Sequence, residues 1–169
     1  EINTSVCCKL FTREVIGRIR FSPVRAYEDD EFIFRTVGAA HSVLCIPSWQ
    51  YYYNQRDNST MTAKFSLNRI ALVTIQKRIC DYVKERRPQL FHKLQKALCS
   101  KQFYILHCLL AATQLEGSKD EASRIYGQVM SSYREYMDNP LMGSNKLMLL
   151  LLKYAPAVVW RSVLNIKYR

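Results

Sequence analysis

Acidic residues are scarce in this chain: its 169 residues include 14 Asp and Glu against 25 Lys and Arg, a net charge of +11. Long apolar runs are also lacking. The longest, at residues 147–152, falls far short of the roughly 20 residues that a helix needs to cross a bilayer. No charged-then-apolar signal segment opens the sequence. We therefore expect no transmembrane helix.

The six cysteines form no CxxC pair and no Cys/His spacing of the kind that binds zinc. Most of them stand among apolar residues, where cysteine behaves as a small hydrophobic side chain. Unpaired cysteines are typical of a reducing compartment. The sequence therefore predicts a cytoplasmic location and no metal site built from these residues.

The positive charge is concentrated in the middle of the chain, where residues 61–115 hold ten basic and two acidic side chains. Two interpretations stay open: an anionic partner that meets this region, or a solvated helix face that keeps the protein soluble. No known nucleic-acid-reading motif accompanies the charge, so we expect no nucleic-acid partner.

The pattern of apolar residues changes near residue 60. Before it, short alternating segments predict strands and two helices; after it, apolar residues recur at helical spacing. The predicted strands lie at residues 19–21, 42–46 and 49–53, with a strand or a tight turn at residues 6–11, and the predicted helices lie at 12–16 and 28–40. The sequence thus predicts an α/β portion at residues 1–63 and a helical region at residues 64–169.

Four consecutive carboxylates, Glu28 to Glu31, open the second predicted helix. Acids in a first turn are stabilised by the helix dipole, but capping requires only one or two of them. Repulsion among four adjacent acids raises the pKa of at least one, which suits a general base. A metal site is the other interpretation, although hard cations usually draw ligands from several segments and only one acidic segment is visible.

Around this acidic segment, an ordered set of motifs resembles the second half of a family 2 glycosyltransferase. The closest similarity is to bacterial enzymes that build capsule, lipopolysaccharide or teichoic-acid glycans. The set covers about residues 5–64 and reads Cys8-Lys9-Leu10-Phe11-x-Arg13, Ile19-Arg20-Phe21, Tyr27-Glu28-Asp29-Asp30-x-Phe32 and Tyr51-x-Tyr53-x-x-Arg56-x-x-Ser59.

The resemblance implies a GT-A nucleotide-diphospho-sugar transferase fold and inverting transfer of a sugar to an acceptor hydroxyl. It implies that Asp29 is the catalytic base and that Glu28 helps to bind the acceptor. It places Arg56 and Ser59 on the donor's diphosphate, where a guanidinium neutralises the leaving charge. Asp30 and Glu31 are then expected to be helix-start and solvent residues.

The family's nucleotide-binding half, with its DxD metal motif, has no counterpart in this sequence. We therefore expect the donor site and its Mg or Mn ion to belong to a preceding segment, with no metal bound by this chain alone. In that case the chain, which begins with Glu1, is a fragment that is inactive in isolation. The implied partners are a nucleotide-sugar donor and a glycan or lipid-linked acceptor, in cell-surface polysaccharide synthesis.

Two other interpretations remain. In one, the chain is a non-catalytic basic helical module that binds an anionic membrane surface or a partner protein. In the other, it is a decayed remnant with no activity. The end of the chain bears on the first, because its aromatic and basic residues are typical of an interfacial helix at the inner face of a membrane. Ordinary packing of Trp160 with solvated charges around it is the competing account.

Overall fold

The computed structural model describes residues 5–24, 26–46, 51–52, 54 and 64–168. The chain divides into two units, Glu1–Lys64 and Phe65–Arg169. Every regular element of the described residues is helical. The α-helices are α1 (Arg13–Ile16), α2 (Glu28–Ala39), α3 (Ala71–Arg86), α4 (Phe91–Ala111), α5 (Ser118–Ser131), α6 (Tyr133–Asp138), α7 (Asn145–Tyr154) and α8 (Ala157–Lys167), with 3-10 turns at Leu67–Ile70 and Pro88–Leu90.

The predicted α/β fold is wrong: the part of the chain that the structure describes contains no strand and no sheet, and so no portion of a GT-A sheet. The predicted strands at residues 19–21 and 42–46 are irregular segments, and residues 6–11 contain a turn at Cys7 and Cys8, the second of the two alternatives predicted there. A β-strand is stable only where a neighbouring strand accepts its hydrogen bonds, and no described segment does so here. The predicted strand at residues 49–53 lies largely outside the described residues.

Both predicted helices of the first unit are confirmed, with small differences in their bounds. The hydroxyl of Thr12 accepts a hydrogen bond from the backbone N–H of Val15 at 3.3 Å, which caps α1. Gly17 ends α1 at a φ of 47°, a conformation that glycine adopts without strain. Helix α2 begins at Glu28, as the sequence predicts, and ends at Ala39.

In the second unit, α4 is the central helix and packs along both α3 and α5. Its fully buried side chains include Phe103, Ile105 and Leu106, which join one apolar core with residues of the other helices. Within the predicted helical region, α5 and α6 are divided at Ser132.

Buried amide and hydroxyl groups tie α4 to the helices that follow it. The Tyr136 hydroxyl donates to the side-chain oxygen of Gln102 at 2.7 Å. The Asn139 amide donates to the His92 carbonyl and to the Gln95 side chain, each at 2.8 Å. Because buried polar groups are costly when unpaired, these bonds fix how α6 sits on α4. Among the described helices, none combines the length and apolarity needed to cross a bilayer.

Candidate functional site

The acidic start of α2 follows a residue in a left-handed conformation. Tyr27 has a φ of 63°, and its side chain makes no capping bond to the helix. Its carbonyl accepts a hydrogen bond from the N–H of Asp30 at 3.1 Å, and a carboxylate oxygen of Asp29 lies within 3.1 Å of the same N–H. At this helix start the Asp29 carboxylate, and not the side chain of Tyr27, thus accepts from a free backbone N–H.

Asp29 is the carboxylate of this cluster whose pKa is raised. The main cause is its partial burial, which disfavours the charged form; the negative charges of Asp30 and Glu28 add to it. Hydrogen bonds from its own N–H and that of Asp30 act in the opposite direction. A carboxylate with a raised pKa holds an abstracted proton more readily, which is the property that the sequence predicted for a base at this position.

Three aromatic rings bring the sequence motifs of the first unit together. Phe32 meets Phe11 edge-to-face, with ring centroids 5.6 Å apart, and stacks on Phe21, with centroids 4.2 Å apart. Each ring comes from a different motif. Phe32 is almost completely buried and lies on α2, close in sequence to Asp29. The aromatic cluster therefore fixes the position of the acidic turn.

An open cleft of about 540 Å³ lies against this aromatic cluster. Its walls include the three phenylalanines and the side chains of Arg13 and Arg20. Neither Glu28 nor Asp29 lines it. Arg20 donates to the carbonyls of Gly17 and Ile19 at 2.9 and 2.8 Å, so its guanidinium is held against the backbone.

Cys7 lies near Asp29 and is bonded by the side chain of Tyr51. Sequence reasoning missed Cys7. Hydrogen bonds from the side chains of Tyr51 and Ser5 lower the pKa of the Cys7 thiol, whereas the charge of Asp29 raises it. Three segments that are distant in sequence, around Cys7, Asp29 and Tyr51, therefore approach one another at Cys7. The sequence did offer a signal for Cys7, because this residue directly precedes the first motif. Tyr51 is the first residue of the last motif.

Glu31 differs from its expected role as a solvent residue. It is buried, and its carboxylate pairs with the guanidinium of Arg35 at 2.6 Å, one helical turn later. The pair belongs to the packing of α2. Of the other predicted site residues, Glu28 lies half-buried in the first turn of α2, whereas Arg56 and Ser59 lie outside the described residues.

No group of three or more His, Cys, Asp or Glu side chains in the described ranges could hold a metal ion. The carboxylates of α2 come from a single turn, and no described residue from another segment joins them as a ligand. All six cysteines are unpaired thiols.

A second chemically distinctive region lies on the helical unit. Exposed basic side chains cluster around the turn from α3 to α4, at Lys84, Arg86, Arg87, Lys93 and Lys96. The Lys84 ammonium lies 5.3 Å from the centroid of the Phe91 ring. Glu85 is the single acidic residue between Lys84 and Lys96.

No model of a known protein family, no curated protein and no solved structure shows a significant match to this chain. The candidate site is therefore defined by its residues and their geometry.

Proposed function

We propose that the first unit supplies the acceptor-activating base of a sugar transferase, with Asp29 as that base. The observation that carries the proposal is the raised pKa of Asp29 at the place where three motif segments meet through Phe11, Phe21 and Phe32. The motifs resemble those of family 2 glycosyltransferases, and their order places this carboxylate on the acceptor side. The proposal rests on this carboxylate and its neighbours, since the described residues contribute no sheet.

In the proposed reaction, the acceptor hydroxyl oxygen attacks the anomeric carbon of a nucleotide sugar as its proton passes to Asp29. The bond between that carbon and the donor's diphosphate oxygen breaks, and the nucleoside diphosphate leaves with the electron pair. Attack from the face opposite the leaving group inverts the configuration. Glu28, in the same turn, accepts a hydrogen bond from the acceptor and orients it.

For the sugar donor, the proposal assigns only two residues of this chain. Arg56 and Ser59 are proposed to contact the diphosphate, where a guanidinium would stabilise the developing negative charge. No group of three or more His, Cys, Asp or Glu among the described residues fits a divalent metal. Nucleotide sugars are made in the cytoplasm, and a cytoplasmic location is proposed together with this function.

The test is sugar transfer from a panel of nucleotide sugars to glycan and lipid-linked acceptors, with the chain expressed in its full reading frame. Asp29→Asn should reduce kcat by at least 100-fold, the scale of a lost general base. Asp30→Asn, the isosteric change at the next position, should leave most of the activity. Glu28→Gln should raise the KM for the acceptor more than it lowers kcat. Undiminished turnover by the Asp29→Asn protein would contradict the proposal.

A second candidate function is favoured by the basic surface between α3 and α4. Exposed cations at Arg86, Arg87 and Lys93 would suit a non-catalytic module that binds an anionic membrane surface or partner protein. Reversal of these three charges should then abolish salt-sensitive binding to a polyanion, while Asp29→Asn leaves it intact. A catalytic protein without this second role would lose sugar transfer in the Asp29→Asn variant and would show no polyanion binding that depends on these three cations.

A further inference from the structure

The outer side of α7 and α8 is apolar and exposed, although both helices already bury another side in the core. Leu147 is 62% exposed, Val158 70% and Ile166 78%. Leu150, Tyr154 and Val159 are exposed as well. We call these six residues the outer apolar face.

In α7 the exposed and buried side chains occupy opposite sides of the helix. Leu147, Leu150 and Tyr154 are separated by three and four residues and so form one stripe. Met148, Leu149 and Leu152 form the buried stripe. A helix that is apolar on both sides is typical of one covered on both sides, whereas a solvated helix carries polar residues outward. Core packing therefore explains only half of the apolar residues of α7.

In α8 the exposed side is mixed, because Arg161, Ser162 and Asn165 are exposed beside the apolar residues. Trp160 and Leu164 are buried, and Val159 and Ile166 lie on the opposite side. Trp160 stacks on Tyr126 of α5 with ring centroids 6.2 Å apart, so the packing interpretation of this residue holds. The exposed apolar surface of α8 is made by other residues, which sequence reasoning did not single out.

Helices α7 and α8 are both held against α4 and α5. The Tyr126 hydroxyl of α5 donates to the Leu152 carbonyl of α7 at 3.0 Å, and Tyr126 also carries Trp160 of α8. At the end of α8, the Tyr168 hydroxyl donates to the Ser100 carbonyl of α4 at 3.1 Å. Helices α7 and α8 also pack on each other. They thus form one layer over α4 and α5, with their outer sides turned away from the core.

The charge around this face has a single sign. The last acidic residue of the chain is Asp138, whereas five basic residues follow it. Lys146 and Lys153 of α7 and Arg161 of α8 stand on the same helices as the outer apolar face. Lys167 lies on the core side, where it donates to the buried Asn145 at 2.8 Å and lies 5.4 Å from the centroid of the buried Phe103 ring. Apolar side chains bordered by cations, with no acidic residue among them, match the boundary of an anionic bilayer.

We propose that the outer apolar face of α7 and α8 docks onto an anionic lipid bilayer, in the plane of the interface. Leu147, Leu150 and Tyr154 enter the headgroup boundary together with Val158 and Ile166, and the surrounding lysines and arginines meet lipid phosphates. A second copy of the chain is a poorer occupant. A symmetric dimer through this face would bring Lys146, Lys153 and Arg161 of both copies together, with no acidic residue of α7 or α8 between them. The docking surface and the proposed transfer chemistry belong to different units of the chain.

The test is flotation of the chain with two kinds of vesicle: phosphatidylcholine alone, and an equal mixture of phosphatidylcholine and phosphatidylglycerol. We expect binding to the mixed vesicles and weak binding to phosphatidylcholine. The triple variant Leu147→Ser, Val158→Ser and Ile166→Ser should lower partitioning at least tenfold, because each change removes apolar area from the contact. The matched control is Leu44→Ser, at an apolar side chain of the first unit that is 85% exposed. It should bind as the parent does.

Charge is tested separately with Lys146→Gln, Lys153→Gln and Arg161→Gln, each of which should lower partitioning about fivefold. Unchanged circular dichroism establishes that the variants fold, as expected for substitutions at exposed positions. Equal flotation of parent and triple variant would overturn the proposal. A parent that fails to float would do the same, as would a dimer in analytical ultracentrifugation that the triple variant dissociates. The Asp29→Asn protein should float normally, so failure of the transfer chemistry and failure of docking are distinguishable.

Discussion

The ring of Phe21 lies flat on the ring of Phe32, with an angle of 13° between their planes. Phe32 is buried on α2, whereas Phe21 comes from the irregular segment before it and is half exposed. This contact fastens the segment between α1 and α2 to the helix that carries the acidic turn. It makes the position of Asp29 depend on aromatic packing.

Phe32→Ala should therefore loosen the acidic turn. Removal of a buried phenylalanine costs about 3 kcal/mol or more of stability. Hydrogen exchange of the α2 amides is the measurement, and their protection should fall sharply. Phe21→Ala is the matched control, because it removes a half-exposed ring and should cost only about 1 kcal/mol. Equal loss of amide protection in both variants would contradict the inference that Phe32 holds the acidic turn in position.

The stability of the first unit should respond to pH through Asp29. Its folded-state pKa lies above the ordinary value, so the folded state binds the proton more tightly than the unfolded state does. The stability from this group is present below the unfolded pKa, near 4, and is lost as pH rises through the folded pKa. The α2 amides should therefore exchange more slowly in the Asp29→Asn protein than in the parent at pH 7. At pH 3 the two proteins should exchange these amides at nearly the same rate.

Exchange of the α2 amides measured at both pH values tests this prediction. Asp120→Asn, in the first turn of α5 in the second unit, should leave the α2 amides unchanged. Weaker protection at pH 7 in the Asp29→Asn protein would show that the carboxylate is stabilised in its charged form, contrary to the expected sign.

Cys7 should be alkylated by iodoacetamide faster than Cys99 at neutral pH. Hydrogen bonds from Tyr51 and Ser5 lower the pKa of Cys7, whereas burial raises that of Cys99 to about 12. Tyr51→Phe should slow the reaction of Cys7, because a bond to the thiolate is lost. Asp29→Asn should accelerate it, because a nearby negative charge is removed. Peptide mass spectrometry follows each cysteine, and an unchanged rate in both variants would refute the proximity of these groups.

Asn139→Ala should destabilise the helical unit. The Asn139 side chain makes bonds to His92, Gln95 and Leu141, and its loss leaves buried partners unsatisfied at about 1–3 kcal/mol for each group. Chemical denaturation followed by circular dichroism measures the change. Asn165→Ala, at an exposed position of α8, should shift the midpoint only slightly.

Helix periodicity identified helices of the second unit, because buried positions such as Ile75, Ile79 and Val83 recur at the spacing of one helix face. The strands were mispredicted for a physical reason. A segment such as residues 42–46 has the composition of a strand, but strand formation depends on a neighbour that local sequence cannot supply.

The site was predictable only in part. The four adjacent acids drew attention to Asp29, but their separate environments depend on tertiary contacts. Glu31 faces inward and pairs with Arg35, while the pKa of Asp29 depends on burial and on Asp30. The approach of Cys7 to Tyr51 spans more than forty residues and has no local signature.

The contacts of α4 also determine how the second unit can fold. Helix α4 packs on α3 and α5, its neighbours in sequence, so most of its partners are reached by short loops. Topologies of this kind fold quickly, because little chain entropy is lost before contacts form. The bond from Tyr168 to Ser100 joins residues 68 positions apart, so it can form only after α8 has reached α4. On the ribosome, α3 to α5 can therefore pack on one another before α7 and α8 have emerged.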